Sequence, residues 1–306
     1  MKYYLTFALF IIMSLNVHAQ INMADSSFQA ISYWDKGEAH SYKISQNKYK
    51  VIGKDTTVAE AYSYSVDISV LDSTAHEYTV EWFYHDYALE TENEIMEKLF
   101  ELNTDMKVVI KTDEMGMVKE VVNWKEVSEY INKSMKQLKK DLAHIPNINK
   151  IIKQASNMYS SKESIEKGAI NEIIQFHSFH GGKYQFNKEV HADTQVANML
   201  GGEPFDANIN VWLDNIYPDD YIVDLKLHQK VNSIQLTKVT YDYLCELAKM
   251  MKQPEPKWDD FPTVKNETYL YSQIHDSGWP LYSIETKEVS SQNTLQIEER
   301  IIDFIK

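Results

Sequence analysis

The stretch YSYSVDISVLDSTAHEYTVEWFY, residues 62–84, contains the strongest structural signal in this chain of 306 residues. Tyr, Val and Ile alternate with Ser and Asp in its first part, and Tyr, Val and Trp alternate with Thr and Glu in its second part. A period of two predicts strands with one buried and one solvated face. Because the turn residues Asp72 and Ser73 separate the two parts, the stretch predicts an antiparallel hairpin.

The same reasoning divides the chain into a β-rich part over residues 20–123, a helical middle over 124–182 and a second β-rich part over 183–306. The length allows one large domain or two small ones, and we expect residues 20–306 to form one compact unit. In the second β-rich part, strands are predicted over 269–274, 281–289 and 295–305.

The helical middle predicts three helices, because its apolar residues recur at intervals of three and four. The first begins at Trp124 and the second at Pro146, which suits the first position of a helix. A capping box of Ser160 with Glu163 is expected to start the third. The residues expected to be buried in the first and third helices are Val127, Ile131, Leu138, Leu142, Ile165, Ala169, Ile173 and Phe176.

Each β-rich part shows the order hairpin, helix, hairpin, with helices predicted over 92–102 and 236–251. The second of these helices is expected to bury Val239, Tyr243, Leu247 and Met250. Asp113 and Gly116 in one turn match Asp276 and Gly278 in the other. This order is compatible with a β-β-α-β-β pseudo-repeat, and also with independent use of the same common turn residues.

A sheet with one apolar face needs a covering layer, so the predicted fold is α+β, with curved antiparallel sheet packed against amphipathic helices. An Asp-x-x-Gly hairpin, here Asp113–Gly116, precedes a helix. This layout resembles the half-barrels of periplasmic lipoprotein carriers of the LolA type, and exported β-rich proteins of Gram-negative bacteria. The resemblance implies a ligand held between sheet and helices, and it assigns a role to no particular residue.

The N-terminus has the pattern of a secretory signal peptide over residues 1–19. Lys2 precedes an apolar run from Leu5 to Leu15, and Val17-His18-Ala19 places small residues before a cut at Gln20. The run is too short for a membrane anchor. We therefore expect a mature protein that is exported to the periplasm or the exterior and has no membrane span.

Charge and cysteine content narrow the classes of partner. The formal charge is −14, and removal of Lys2 with the signal peptide makes it −15. Such a chain repels phosphate backbones, so nucleic acid is not expected as a partner. The single cysteine, Cys245, allows no disulfide within the chain, and we expect it to be a small packed side chain.

Catalytic signatures such as a P-loop, a nucleophile elbow or a zinc-protease helix are absent from the sequence. Ser164-x-x-Lys167 matches a pattern of penicillin-binding enzymes, but it falls inside a predicted amphipathic helix without the accompanying motifs, which indicates a chance match. Asp214, Asp219 and Asp220 lack the spacing of a calcium loop and are typical of a solvated turn. No cofactor is predicted.

Three histidines form the best metal candidate. His177 and His180 are three residues apart near one helical face, and His191 lies on the following strand. Imidazole binds zinc well, but a zinc site needs three or four ligands and no further ligand is suitably spaced. Polar residues at the end of a helix are the alternative interpretation.

Aromatic residues on the apolar faces of the opening hairpin allow two interpretations. They are either ordinary core, where aromatic side chains bury large areas, or the lining of a cavity for an apolar ligand. The residues concerned are Tyr62, Tyr64, Tyr78, Trp82 and Tyr84.

Three functions remain in consideration because a fold does not determine function. The leading hypothesis is an exported, non-catalytic binding or carrier protein for an apolar ligand or an envelope partner. The alternatives are a structural or interaction module of the cell envelope without a ligand cavity, and a hydrolase of unrecognised type.

Overall fold

The computed structural model describes residues 20–89, 97–98, 105–145, 148–198 and 200–306. The signal peptide predicted over 1–19 lies outside these residues. So does the helix predicted over 92–102, apart from residues 97–98, which are helical. Pro146, the predicted start of the second helix, is also outside the described residues.

Eleven of the described strands form one sheet in which every pairing is antiparallel, in the order β7-β6-β5-β4-β3-β14-β13-β12-β11-β10-β9. These strands are β3 (Ala39–Ile52), β4 (Asp55–Ser73), β5 (Glu77–Leu89), β6 (Met106–Asp113), β7 (Val118–Val121), β9 (Glu189–Val196), β10 (Phe205–Tyr217), β11 (Ile222–Val231), β12 (Val264–His275), β13 (Pro280–Ser291) and β14 (Thr294–Ile305). A smaller sheet has the order β1-β2-β8 and comprises β1 (Ile21–Asn22), β2 (Ser27–Gln29) and β8 (Lys183–Gln185).

Five helices are described, together with a short 3₁₀ turn at Trp258–Asp260. The helices are α1 (Trp124–Asp141), α2 (Ile148–Met158), α3 (Lys162–Gly168), α4 (Asn171–His177) and α5 (Ser233–Met251). Helices α1 and α3 contact the β6–β7 end of the large sheet, α4 lies over β13 and β14, and α5 lies against β10 and β12. The α+β fold predicted from the sequence is confirmed, with open, curved sheets.

The predicted opening hairpin is present as β4 and β5. Ile68 pairs with Trp82 and Val70 pairs with Val80, so the apolar residues of both strands share one face. This face, here called the inner face, packs against α3 and α4, and it places Val66, Ile68, Val80 and Trp82 at 1% exposure or less. The period of two therefore predicted both the pairing and the buried side.

The two β-rich parts share a single sheet through β3 and β14, which pair along their length with Ile44 opposite Ile302. On either side of this central pair the strand order repeats, as β7-β6-β5-β4 and as β13-β12-β11-β10. Each set consists of two hairpins, with the β6–β7 turn at Gly116 corresponding to the β12–β13 turn at Gly278.

The helical middle differs from its prediction at the third helix. The residue that caps α3 is Ser161, whose hydroxyl accepts from the Ser164 amide at 3.1 Å, so the capping box with Ser160 was wrong by one residue. The predicted single helix is two helices, because α3 ends at Gly168, a poor helix former. The Asn171 side chain donates to the freed Gly168 carbonyl at 3.2 Å.

The helix predicted over 236–251 is α5, but its predicted buried side was wrong at Tyr243 and Met250, while Val239 packs against a core cluster. Tyr243 is 43% exposed and Met250 is 73% exposed, whereas Thr237 and Cys245 are buried. Thr237 anchors the helix, since its hydroxyl accepts from the Val264 amide at 2.9 Å at the start of β12. The tertiary contact with β12 therefore determined the orientation of α5, and the apolar periodicity did not.

Among the described residues, no helix combines the length and the apolar character needed to cross a membrane.

Candidate functional site

The aromatic residues predicted to line a cavity fall into two groups. Trp82 and Tyr78 belong to a closed core on the inner face, where Trp82 is completely buried and contacts Phe176 with ring centroids 5.2 Å apart. The Tyr78 hydroxyl donates to the Ser32 carbonyl at 2.6 Å, and the Tyr78 ring lies 5.6 Å from that of Trp34. These two residues are packed as ordinary core.

Tyr62, Tyr64 and Tyr84 form the second group, further along the same face. Tyr64 lies 6.4 Å from Tyr62 and 5.8 Å from Tyr84, measured between ring centroids. Tyr87 joins them with a centroid 5.1 Å from that of Tyr64. We call Tyr62, Tyr64, Tyr84 and Tyr87, together with Tyr159, which follows α2, the tyrosine cluster.

A β-bulge places Tyr87 in this cluster. The register of β4 and β5 shifts between Ser63 and Ser65, where β5 holds one extra residue. Asp86, within the bulge, has a positive φ of 53°. Bulges redirect side chains and occur often beside functional sites. Strict alternation from Tyr84 would have placed Asp86 inward and Tyr87 outward, so the sequence pattern did not reveal Tyr87.

One carboxylate, that of Glu172 in the first turn of α4, acts on the whole cluster. Its Oε1 atom accepts a hydrogen bond of 2.7 Å from the Tyr84 hydroxyl. Burial, and secondarily the negative charge of Glu172, raises the pKa of Tyr64, Tyr84 and Tyr87, and raises that of Tyr159 to about 12. All these hydroxyls are therefore protonated hydrogen-bond donors at neutral pH.

Arg300 lies beside the cluster on β14 and is the only arginine of the chain. It is 7% exposed, and its Nη2 atom donates to Glu285 Oε1 at 3.1 Å. Its Nη1 atom is buried and makes no hydrogen bond with the described residues. The side-chain oxygen of neighbouring Gln175 is also buried without a partner there, although its Nε2 donates to the Arg300 carbonyl at 3.2 Å.

Cross-strand pairing explains why these groups meet. Gln46 of β3 is opposite both Arg300 and Tyr62, and Glu285 of β13 is opposite Arg300 on its other side. The four residues form one row across the inner face, and the Tyr62 hydroxyl donates to the Gln46 side chain. Sequence reasoning missed Arg300 and Glu172. The isolated occurrence of arginine was the one available signal for the first of them.

A cleft of about 550 Å³ opens on the face of the sheet opposite to the inner face, because Ser45, Ser63 and Ala88 alternate with the inward-facing residues of their strands. Its lining includes Tyr62 and Tyr87 together with small side chains of β3, β4 and β5, among them Ser45, Ala61 and Ser63. A second cleft of about 590 Å³ lies at the start of α5, between Asp193, Asp206 and Asn232. The cluster itself has buried members, such as Tyr84, and half-buried members, such as Tyr62 and Tyr87.

Two of the predicted metal-binding histidines lie together in the closed core. The ring centroids of His177 and His180 are 5.2 Å apart. His177 Nδ1 donates to the Gly116 carbonyl at 2.7 Å, and His180 Nε2 donates to the Gly278 carbonyl at 2.8 Å. Burial lowers the pKa of His177 and lowers that of His180 to about 4, so both rings are neutral.

The third histidine is elsewhere. His191 is exposed on β9, where its Nδ1 atom lies 2.6 Å from Asn210 Oδ1 and its Nε2 atom lies 3.5 Å from a Glu189 carboxylate oxygen. Within the described part of the chain, no three His, Cys, Asp or Glu side chains come together as a metal site would require.

Comparison with known sequences identified no relative. No family model matches the chain, and no curated protein matches its sequence.

Comparison with solved structures gives three distant likenesses. Lipovitellin, from a study of its lipid–protein interactions, has a TM-score of 0.41 and 9% identity over 89% of this chain, which spans 25% of lipovitellin. A protein from Bacteroides fragilis described as exported, with a YmcC-like fold, has a TM-score of 0.25 and 10% identity over 91% of this chain and 100% of its own. DynF, from the dynemicin biosynthesis pathway of Micromonospora chersina, has a TM-score of 0.19 and 5% identity over 89% of this chain and 83% of its own.

At these TM-scores none of the three determines the family or the function of the chain. The likeness to lipoprotein carriers of the LolA type stays a prediction.

Proposed function

We propose that this chain is an exported, non-catalytic binding or carrier protein that holds an apolar ligand against the tyrosine cluster. The observation on which this proposal depends is the bulge at Asp86, which adds Tyr87 to Tyr62, Tyr64 and Tyr84 on one face. Rings offer broad apolar contact and hydroxyls offer oriented donors, a combination common in ligand pockets.

The distribution of burial supports this position for the site. Trp82 and Tyr78 lie in packed core, so a ligand at that end would have to displace Phe176 and Trp34. Tyr62 and Tyr87, in contrast, are only half-buried at the edge of this core. The cavity hypothesis therefore applies to Tyr62, Tyr64 and Tyr84, and extends to Tyr87.

Export is the second part of the proposal. The signal-peptide pattern predicts a mature chain beginning at Gln20, and in the fold that residue is 4% exposed. Its side-chain oxygen accepts from the Ile31 amide at 3.1 Å, and its carbonyl accepts from the Gln29 amide at 3.0 Å. Both contacts lie within the predicted mature chain.

The test uses a fluorescent apolar probe and two matched tyrosine substitutions. We expect saturable probe binding to the native protein, weakened several-fold by Tyr87→Ala. Tyr243→Ala removes an equally large ring from exposed α5 and should leave binding unchanged. Urea unfolding of both variants separates lost binding from lost stability.

An interaction module of the envelope is the second candidate, favoured by the apolar exposure of α5. Ile234 is 79% exposed and Met250 is 73% exposed. If the second candidate is correct, the probe should bind weakly or its binding should be lost in Tyr243→Ala and kept in Tyr87→Ala. Either result would overturn the assignment of the site to the tyrosine cluster.

A further inference from the structure

We infer that the ligand of the tyrosine cluster bears a carboxylate, and that Arg300 Nη1 and the Tyr64 hydroxyl donate to its two oxygens. The ligand class is a long-chain fatty acid or a comparable amphipathic monocarboxylate. This inference rests on the proposed function and adds to it the recognition of the polar end of the ligand.

The first step of the argument is the incomplete pairing of Arg300. A guanidinium has five N–H donors, and a buried donor without a partner is destabilising, more so when it is charged. Nη2 is paired with Glu285, while buried Nη1 makes no hydrogen bond with the described residues. An acceptor placed beside Nη1 would remove this cost, and an ionised acceptor gives the stronger, charge-assisted bond.

The second step concerns the neighbouring donors. Gln46 lies between Arg300 and Tyr62 in one row across the inner face, and Tyr64 lies in the adjacent row, opposite Ile44. Tyr62 already donates to Gln46. Tyr64, in the adjacent row, is a neutral donor that has no other assigned acceptor among the described residues. The site therefore presents one charged and one neutral donor, one for each oxygen of a carboxylate.

The third step uses the charges around Arg300 to choose between anions. Glu285 is shared by Arg300 and by Lys287, whose Nζ lies 3.2 Å from the same oxygen. These three side chains together carry one net positive charge, and the carboxylates of Glu172, Glu60 and Glu298 place negative charge around Tyr62. Among anions, one of low charge is therefore favoured, because it meets less repulsion from these carboxylates. A phosphate dianion would add repulsion that two donors do not offset.

The fourth step is the position of Arg300 at the border between two environments. On the same strand and face, Ile302 is completely buried and the Glu298 side chain is 53% exposed. The rings of the tyrosine cluster lie next to Arg300 on the buried side. An acyl chain can therefore contact the rings while its carboxylate remains at Arg300.

The experiment compares three fluorescent ligands with the same chain and different ends: a carboxylic acid, its methyl ester and the corresponding alkyl phosphate. We expect wild-type protein to bind the acid at least about tenfold more tightly than either of the others. Arg300→Gln should remove the preference and leave ester binding unchanged. Arg300→Lys should retain part of it, since the charge remains.

Lys287→Gln is the matched control, because it removes a cation that is paired with the same Glu285 but is 40% exposed. It should change the preference less than twofold. Equal binding of acid and ester by wild type would overturn the carboxylate assignment and leave the proposed function intact. A preference for the phosphate would overturn it in the same way. Failure of all three ligands to bind would overturn both. The wild-type comparison decides the question even if an Arg300 variant does not fold.

Discussion

His180 donates from Nε2 to the carbonyl oxygen of Gly278 at 2.8 Å, and it does so from a position that is 4% exposed. Three residues earlier, His177 makes the corresponding bond to Gly116 at 2.7 Å. Gly116 and Gly278 occupy equivalent hairpin turns in the two β-rich halves of the sheet. The His-Ser-Phe-His segment thus joins the two halves through their turns, and the backbone of Ser32 and Tyr33 bonds to the same two turns.

This pair of bonds predicts a loss of stability in acid. Burial lowers the pKa of His180 to about 4, below its ordinary value of 6.5, and lowers that of His177 in the same direction. The unfolded chain therefore binds protons more readily than the folded chain below pH 6.5. Stability is fully present above that pH and falls as the pH decreases towards 4, by about 3 kcal/mol for His180 alone.

Urea midpoints between pH 7.5 and pH 4.5 measure this effect. The variant His180→Gln keeps a donor near Gly278 and cannot titrate, so its midpoint should depend less steeply on pH than that of wild type. His191→Gln, at an exposed position, should follow wild type. If the wild-type and His180→Gln profiles were parallel, the histidine pair would not be the cause.

Two glycines with positive φ give a matched test of the turn at Gly278. Gly278 has a φ of 85°, and a Cβ there would overlap the Ile31 carbonyl. Gly53 has a φ of 63° and open space around it. Gly53→Ala should cost about 1–2 kcal/mol for the backbone conformation alone. Gly278→Ala adds a clash with the backbone and should cost more than about 3 kcal/mol. Comparable unfolding midpoints of the two variants would contradict the close approach at Gly278.

Trp82→Ala should destabilise the protein by about 3–5 kcal/mol, because Trp82 is completely buried against Phe176 and a cavity would remain. Measured below the unfolding transition, probe binding should persist in this variant if the ligand site is at Tyr87. Loss of probe binding together with an unchanged unfolding midpoint would return the site to the Trp82 end of the face.

The sequence predicted the strands whose side chains alternate regularly. The prediction failed where a β-bulge inserted an extra residue and so reversed the alternation. The β4–β5 hairpin followed from the alternation up to Tyr84, and the extra residue at Asp86 then moved Tyr87 to the inner face. That change depends on register against β4, which the local pattern of β5 does not contain.

The candidate site was predictable in part, for a related reason. Tyr62, Tyr64 and Tyr84 share one strand pair and one period. Glu172 and Arg300 come from a helix and from the last strand, and only the completed sheet places them beside the tyrosines. Pairings across more than 100 residues, such as Gln46 with Arg300, have no local signal in the sequence.

Leu138 and Met250 test the two helices whose buried faces were both predicted from apolar spacing. Leu138 on α1 is 1% exposed, in contact with a cluster that includes Ile131 and Ile152, whereas Met250 on α5 is 73% exposed. Leu138→Ala should cost about 2–5 kcal/mol, since it removes buried methyl groups and leaves a cavity. Met250→Ala should change stability by less than about 0.5 kcal/mol, as exposed substitutions usually do. Chemical denaturation of both variants at neutral pH makes the comparison. A large cost for Met250→Ala would show that the α5 surface is covered in solution, which would favour the interaction-module candidate over a free carrier.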